Sequence, residues 1–381
     1  MNENSAERPT KAIVDLDHLR FNYTSIKRFI GPEPQVMAIV KADAYGHGAN
    51  ECSKTLQQVG VKHFGVALPE EGVELRKGGI AGRIVCFGNW PGQEQMIIAD
   101  RLTPVFFQID RLKAFDESAG AQGIVYPVVI KIDTGMGRVG VPFGSVGEFA
   151  SEAAKFKNIK IEGLMTHFST ADQPQNNLTD TQIRRFNKAA EIFQAKGVQP
   201  KYLDMANSPG AIVFPNSRSS LVRIGGLLYG LGGDVLPKGF PGPELKAVMS
   251  LYSKVSFIKR VPAGTTIGYG ASFVTKRDSV IGTIPIGYND GYRRGLSNSS
   301  NVLIRGKFAP VIGRVSMDWT TIDLTDIPEV NVGDRVTVIG NDQGHRILAE
   351  DIAESLNTIS YEVTCGISRR VPRVYVSDQD R

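Results

Sequence analysis

The stretch Val36-Met37-Ala38-Ile39-Val40-Lys41-Ala42-Asp43-Ala44-Tyr45-Gly46-His47-Gly48 decides how the chain is read. Its first part is an apolar run of strand length with β-branched residues at 36, 39 and 40. A lysine then stands at the carboxyl end of a strand that reads as buried, where an unpaired ammonium is costly. Chemistry removes that cost, because a lysine condensed with an aldehyde carries no free ammonium, and desolvation makes its amine more nucleophilic. The alternative at this point is a strand-end lysine whose amine snorkels to water. Gly46 and Gly48 release the chain into a turn before the helix-like Ala49–Gln58.

Upstream, Ala12-Ile13-Val14 reads as a short strand and Asp15 as an N-cap. The helix after it places Leu16, Leu19, Tyr23, Ile26 and Ile30 on one face and ends at Gly31-Pro32. Downstream, apolar runs of strand length alternate with helical stretches, at 36–41, 63–68, 83–88, 102–107, 125–133, 159–167, 202–207 and 221–226. Eight such runs are what a closed parallel barrel requires, and their near-continuous hydrophobicity suits strands covered on both faces. Lys41, Asp133-Thr134, His167, Asn207-Ser208 and the segment 223–226 all fall at or just past strand ends, the face where such barrels hold their active sites. After Tyr229-Gly230 the composition changes. A Gly- and Pro-rich connector, 231–243, leads into β-rich runs at 248–261, 279–287, 301–304, 309–315, 320–324 and 335–339, with a short helix near 349–356. The expected fold class is therefore α/β: a (β/α)8 TIM-like barrel over 12–240, followed by a mainly antiparallel β-domain over 241–381. The N-terminal strand, 1–14, is a candidate to join that second domain.

Composition bounds the function classes. The 381 residues suffice for two domains, and 41% hydrophobic with 22% charged residues is ordinary for a globular enzyme. A net charge of +5 without a run of like charges argues against a nucleic-acid partner. The sequence has no apolar stretch of the ~18 residues that would span a membrane, and its polar beginning is unlike a signal peptide. Three cysteines, Cys52, Cys86 and Cys365, lack metal-ligand spacing. They imply no metal and fit free thiols in a reducing cytoplasm.

The segment from Val40 to Gly48 resembles the pyridoxal-phosphate attachment motif of alanine racemases. The resemblance extends from about residue 11 to 375 through several motifs in the expected order. It implies pyridoxal 5'-phosphate as cofactor, held covalently by Lys41, with Tyr45 and Tyr361 contacting the phosphate. Arg223-Ile224-Gly225-Gly226 supplies glycines where barrels commonly hold phosphate, and Ser208 beside Asn207 adds a hydroxyl. Taken alone, Gly225-Gly226 also reads as a plain turn. Arg223 matches the arginine that faces the ring nitrogen. A guanidinium does not usefully give up its proton, so the ring stays a weaker electron sink than one protonated by a carboxylate, which suits an enzyme that only moves a proton. His167 matches a histidine stacked near the ring and bonded to that arginine. Arg138, in Lys131-Ile132-Asp133-Thr134-Gly135-Met136-Gly137-Arg138, matches the arginine near the phenolic oxygen and substrate carboxylate. Lys131 matches a lysine that is carbamylated in some members.

In the second domain, Tyr269, between Gly268 and Gly270, matches the second acid–base catalyst, working across a homodimer interface beside Lys41 of the other subunit. Met317 and Asp318 lie in the segment that binds substrate carboxylate, and Tyr288 in a loop at the mouth of the site. Departures are few: Gly226 replaces a bulkier apolar residue, Ser316 a frequent cysteine and Asn289 a small residue. The implied activity is interconversion of L- and D-alanine by two-base α-proton transfer, supplying D-alanine for bacterial cell-wall synthesis. A broader-specificity or serine racemase of the same family is the main alternative, since pockets discriminate by only ~1–3 kcal/mol per methylene. A pyridoxal-dependent decarboxylase would call for an acidic residue at the Arg223 position. A non-catalytic pyridoxal-phosphate carrier would lack the β-domain.

Overall fold

The computed structural model describes residues 8–377. The first seven residues of the expected 1–14 segment and the last four of 241–381 lie outside the described residues. The first element among the described residues is strand β1 (Lys11–Asp15), whose last residue caps helix α1 (Leu16–Ile30): the Asp15 carboxylate accepts the N–H groups of Asp17 and His18, both at 3.0 Å. Leu16, Leu19, Ile26 and Ile30 are buried along the helix, as their spacing predicts. Asn22 shares that face. Its amide reaches the carbonyls of Leu228 and Lys246, so a buried polar group is satisfied at the domain junction.

The barrel follows in strict alternation. Strand β2 (Gln35–Ile39) leads to helix α2 (Ala49–Gln58), β3 (His63–Val66) to α3 (Pro69–Lys77), and β4 (Arg83–Cys86) to α4 (Glu94–Ala99). Then come β5 (Thr103–Phe106), α5 (Ile109–Ala121), β6 (Tyr126–Asp133) and α6 (Val146–Ala153). Strand β7 (Ile159–Met165), α7 (Leu178–Ala195), β8 (Tyr202–Asp204), the short α8 (Ser208–Val213) and β9 (Leu221–Ile224) complete it. Each of the eight strands pairs in parallel with its neighbours, and β9 returns to β2 with Val222 opposite Val36, which closes the cylinder. All eight expected strand runs are present; β6 reaches Asp133 as expected, and the other seven stop one to three residues short at their carboxyl ends, where the chain opens into loops.

The second domain is built from β10 (Met249–Lys254), β11 (Phe257–Val261), β12 (Ser279–Ile284), β13 (Asn301–Ile304), β14 (Lys307–Pro310), β15 (Thr320–Asp323), β16 (Arg335–Asp342) and β17 (His345–Ile347). Helices α9 (Ala349–Ser355) and α10 (Ser360–Gly366) and strand β18 (Arg373–Val376) follow. One sheet runs β14-β13-β16-β10-β1-β18, antiparallel except for the parallel β1–β18 pair; β11-β12-β15 form a second. The run at 248–261 is therefore two strands in different sheets, because the backbone leaves the first sheet at Val255-Ser256. Strand β1, from the start of the chain, lies between β10 and β18, with Ala12 opposite Leu251 on one side and Arg373 on the other. Among the described residues, no helix is long and apolar enough to cross a membrane.

Candidate active site

The carboxyl ends of the barrel strands surround a cavity of about 570 Å³. Lys41, Tyr45, Lys131, Arg138, His167, Asn207, Ser208, Arg223, Gly225 and Tyr361 line it. Residues singled out on six separate segments thus meet at one rim.

Lys41 follows β2 and opens a turn that no periodicity announces. Ala42, Asp43, Ala44 and Tyr45 all have φ between 53° and 55°. A left-handed turn of non-glycine residues costs about 1–2 kcal/mol per residue, so something must hold it. The Ala44 N–H bonds to the Val40 carbonyl and the Gly48 N–H to the Asp43 carbonyl, each at 2.9 Å. The Asp43 carboxylate accepts the Ala49 N–H, and the Glu71 carboxylate the Ala42 N–H, both at 2.7 Å. From the other domain, α10 presses on Gly46, where a Cβ would stand 2.2 Å from the Thr364 carbonyl. Arg373 bonds to the Gly46 carbonyl at 3.1 Å. The turn swings Tyr45 back into the core and leaves Lys41 at the cavity.

Arg223, on β9, is 4% exposed. Its Nη1 pairs with the buried Asp204 carboxylate. Its Nη2 donates to the carbonyls of Thr166 (2.7 Å) and Met205 (3.1 Å) and to His167 Nδ1 at 3.2 Å. Nε is the guanidinium nitrogen that none of these bonds uses. A guanidinium only donates, so His167 Nδ1 accepts and its ring is neutral. Burial, then the Arg223 and Lys131 cations, hold the imidazole well below the usual histidine range, in agreement. Burial and then Arg138 lower the Lys41 amine, opposed by Glu71 and Cys365. Burial, then Arg223 and Arg138, push Lys131 down to about 8. Four cationic side chains therefore share the cavity with two carboxylates, Asp172 and Asp234, while Asp204 is already engaged by Arg223, so cations are in excess and the arrangement calls for anionic groups.

A cradle lies at the end of β9. The Gly225 N–H bonds to Ser208 Oγ at 2.9 Å, and Asn207 Oδ1 holds the start of α8 through the Gly210 N–H at 3.0 Å. A Cβ on Gly225 would fall 2.6 Å from the Tyr45 hydroxyl, and one on Gly226 2.2 Å from the Tyr361 ring. The two tyrosine rings meet edge-on, 5.1 Å apart, and lean on bare backbone. Burial raises both phenols, which keeps them as hydrogen-bond donors. Arg138 rides a loop that Asp133 ties down by accepting the N–H groups of Gly135 and Met136 at 2.9 Å and Gly137 at 3.1 Å.

Sequence reasoning missed several members. Asp204, Gln182 and Asp172 carried no signal that set them apart from ordinary strand-end or helix polarity. Gln182, buried in α7, bonds to the His167 carbonyl at 2.9 Å and to Thr134 Oγ1 at 3.2 Å, and so fixes the His167 backbone. Its one clue was its place on the apolar face with Ile183 and Phe186. Asp172 and Trp90 line the cavity mouth.

Tyr269, Tyr288, Met317 and Asp318 do not line this cavity. They form a surface of the β-domain instead. Tyr269 is 71% exposed on a tight loop with Gly268 and Gly270 at φ 73° and 67°, and Tyr288 and Met317 are also exposed. The Tyr288 and Asn289 N–H groups bond to the carbonyls of Ser316 (3.0 Å) and Met317 (3.1 Å), which joins two of the loops. Asp318 pairs with Arg370, which also reaches the buried Asp290. Among the described residues, no cluster of three or more His, Cys, Asp or Glu side chains could hold a metal ion.

The family model for the alanine racemase N-terminal domain matches residues 14–232, and that for the C-terminal domain residues 248–375. The chain belongs to the alanine racemase family. Among racemase relatives, the alanine racemase of Halothermothrix orenii is 42% identical over 372 residues, 97% of each chain. That of Geobacter sulfurreducens is 41% identical, covering 98% of this chain and 99% of the other. The racemase fold is equally close in solved structures. The Bacillus anthracis alanine racemase with bound L-Ala-P superposes with a TM-score of 0.91 at 34% identity, covering 98% of this chain and 96% of that one. The Bartonella henselae alanine racemase with covalently bound pyridoxal phosphate gives 0.87 at 28% identity, covering 97% and 100%.

Proposed function

We infer that this chain interconverts L- and D-alanine as a pyridoxal-phosphate enzyme. The observation that carries the reading is the convergence of a desolvated Lys41 and an Asp204-locked Arg223 on one barrel mouth, beside a glycine and tyrosine cradle. The residues fit the cofactor. Tyr45, Ser208, Tyr361 and the backbone of Gly225 and Gly226 would hold its phosphate, Lys41 would bind its aldehyde group, and Arg223, His167 and Asn207 would hold its ring. When bound, the cofactor delocalises charge from the substrate Cα, moderately, because Arg223 leaves its nitrogen without a proton.

The chain's own residues do the rest. Arg138 orients the substrate carboxylate and neutralises it. Lys41, as a free amine, holds or takes the α-proton on one face of Cα. Tyr269 of the partner subunit holds or takes it on the other, with Met317, Asp318 and Tyr288 completing the mouth, so the centre inverts. A carbamate on Lys131 would turn one of the four cations into an anion that orients Arg138. The barrel, 12–240, thus supplies one base and the β-domain, 241–381, the other, in a homodimer. The free cysteines suit a cytoplasmic enzyme.

Loss of optical rotation of L-alanine on incubation with the purified protein tests the activity, and a panel including L-serine tests its breadth. Borohydride followed by peptide mapping tests the lysine. Cofactor fixed on a lysine other than Lys41, or rotation unchanged with L-alanine, would overturn the reading.

A further inference from the structure

The geometry points to Glu71 as a positioning residue for Lys41: its carboxylate clips the left-handed turn that presents the lysine to the loop between β3 and α3. Glu71 is the third residue of α3, a place from which a carboxylate ordinarily reaches back to the N–H preceding the helix. One oxygen does so, accepting the N–H groups of Leu68 at 3.1 Å and Ala67 at 2.7 Å. The other leaves its own element and accepts the Ala42 N–H at 2.7 Å, from the residue next to Lys41. Ala42 opens the left-handed turn, and its N–H has no backbone partner among the described residues. A helix cap needs only the first of these oxygens. The second fixes where a strained backbone aims its lysine.

The same carboxylate also bears on the charge of that amine, opposing burial and Arg138. Around Lys41 stand Arg138 on the loop after β6, Lys131 on β6, Arg223 on β9, Cys365 on α10 and Glu71 on α3. Glu71 is the carboxylate of this group, and it favours the ammonium against burial and Arg138. One residue thus couples orientation to protonation, through a bond to the backbone and without touching the cavity.

This rests on Lys41 being the cofactor lysine, and two variants separate its halves. Glu71→Gln keeps the size, but an amide accepts at one end only, so it serves Ala42 or the Ala67–Leu68 pair and not both. Glu71→Asp keeps the charge and is a methylene too short to span them. Hydrogen exchange of the full-length protein should show the Ala42 amide about tenfold faster in Glu71→Asp, and either that amide or the Ala67 and Leu68 amides about tenfold faster in Glu71→Gln. Lysine labelling, mapped to Lys41 after hydroxylamine removal of bound cofactor, should show a midpoint lower by roughly one pH unit in Glu71→Gln and near wild type in Glu71→Asp. Unchanged exchange in both variants would overturn the positioning role, and equal midpoints in both would overturn the charge coupling. Should Glu71→Gln fail to fold, exchange in Glu71→Asp decides alone. Borohydride mapping of the wild type to another lysine would overturn the functional half together with the reading above, with the exchange result standing separately.

Discussion

Lys131 lies 7% exposed in β6, and its amine is pushed down to about 8 from 10.5 by burial and two arginines. Between those values the unfolded chain binds a proton that the native chain has lost, so stability should rise with pH from about 8 to 10.5. Urea denaturation in bicarbonate-free buffer should show that rise in the wild type and a smaller one in Lys131→Met. A neutral amine is also the form whose lone pair attacks carbon dioxide, losing a proton as the carbamate forms. A carbamate signal should appear with ¹³C-bicarbonate and vanish in Lys131→Met. Arg223 poses the opposite problem, since removing it strands a buried carboxylate. Arg223→Leu should lose about 3–5 kcal/mol in denaturant unfolding, with much of it recovered in Arg223→Leu/Asp204→Leu. Lys41 stood out in the sequence because a cation at the end of an apolar strand is anomalous, whereas Arg223 was singled out through the family resemblance. Asp204 was not, because a lone carboxylate near a strand end looks like rim polarity until its partner is known.

At the scale of elements, the eight barrel strands were legible because strands buried on both faces are written as continuous apolar runs. The left-handed turn after Lys41 was not, since Ala-Asp-Ala-Tyr carries no glycine signal and the turn exists only through contacts with Glu71, Asp43 and α10. Helix α10 was also missed, being a short, polar segment that brings Tyr361 against Gly226. Two substitutions probe these contacts. Gly46→Ala combines a φ of +84° with a Cβ 2.2 Å from a backbone oxygen, and should cost about 3 kcal/mol or more in unfolding. Gly226→Ala displaces the Tyr361 ring and should weaken pyridoxal-phosphate retention by about tenfold or more, read by equilibrium dialysis, while costing only about 1–3 kcal/mol of stability.

The whole molecule holds three neutral histidines out of water, His47 and His63 buried and His167 partly so. Burial is the leading cause in each, holding His47 and His63 down to about 4 and His167 well below 6.5. Between 6.5 and about 4 the unfolded chain binds protons that the native chain refuses, so stability should fall as pH drops through that window, each group adding up to about 1.4 kcal/mol per pH unit. Substituting His47 or His63 by Gln should flatten the slope of denaturation midpoint against pH. The exposed Tyr269 surface makes a second prediction at this scale. Lys41→Ala and Tyr269→Phe proteins, each nearly inactive, should regain activity on subunit exchange, approaching about a quarter of wild type, because half the dimers are hybrids with one intact site of two. No recovery despite exchange shown by mass spectrometry would place both bases in one chain.

Strand β1 also imposes an order of events during synthesis. It leaves the ribosome ahead of the barrel, yet both of its hydrogen-bonding partners, β10 and β18, are translated only after the barrel is complete, and Ala12 must wait for Arg373. Until they are made, β1 has no strand partner and leaves both of its edges open. Its pairing with β18 is an end-to-end closure, and a chain released before β18 has been made would lack it altogether.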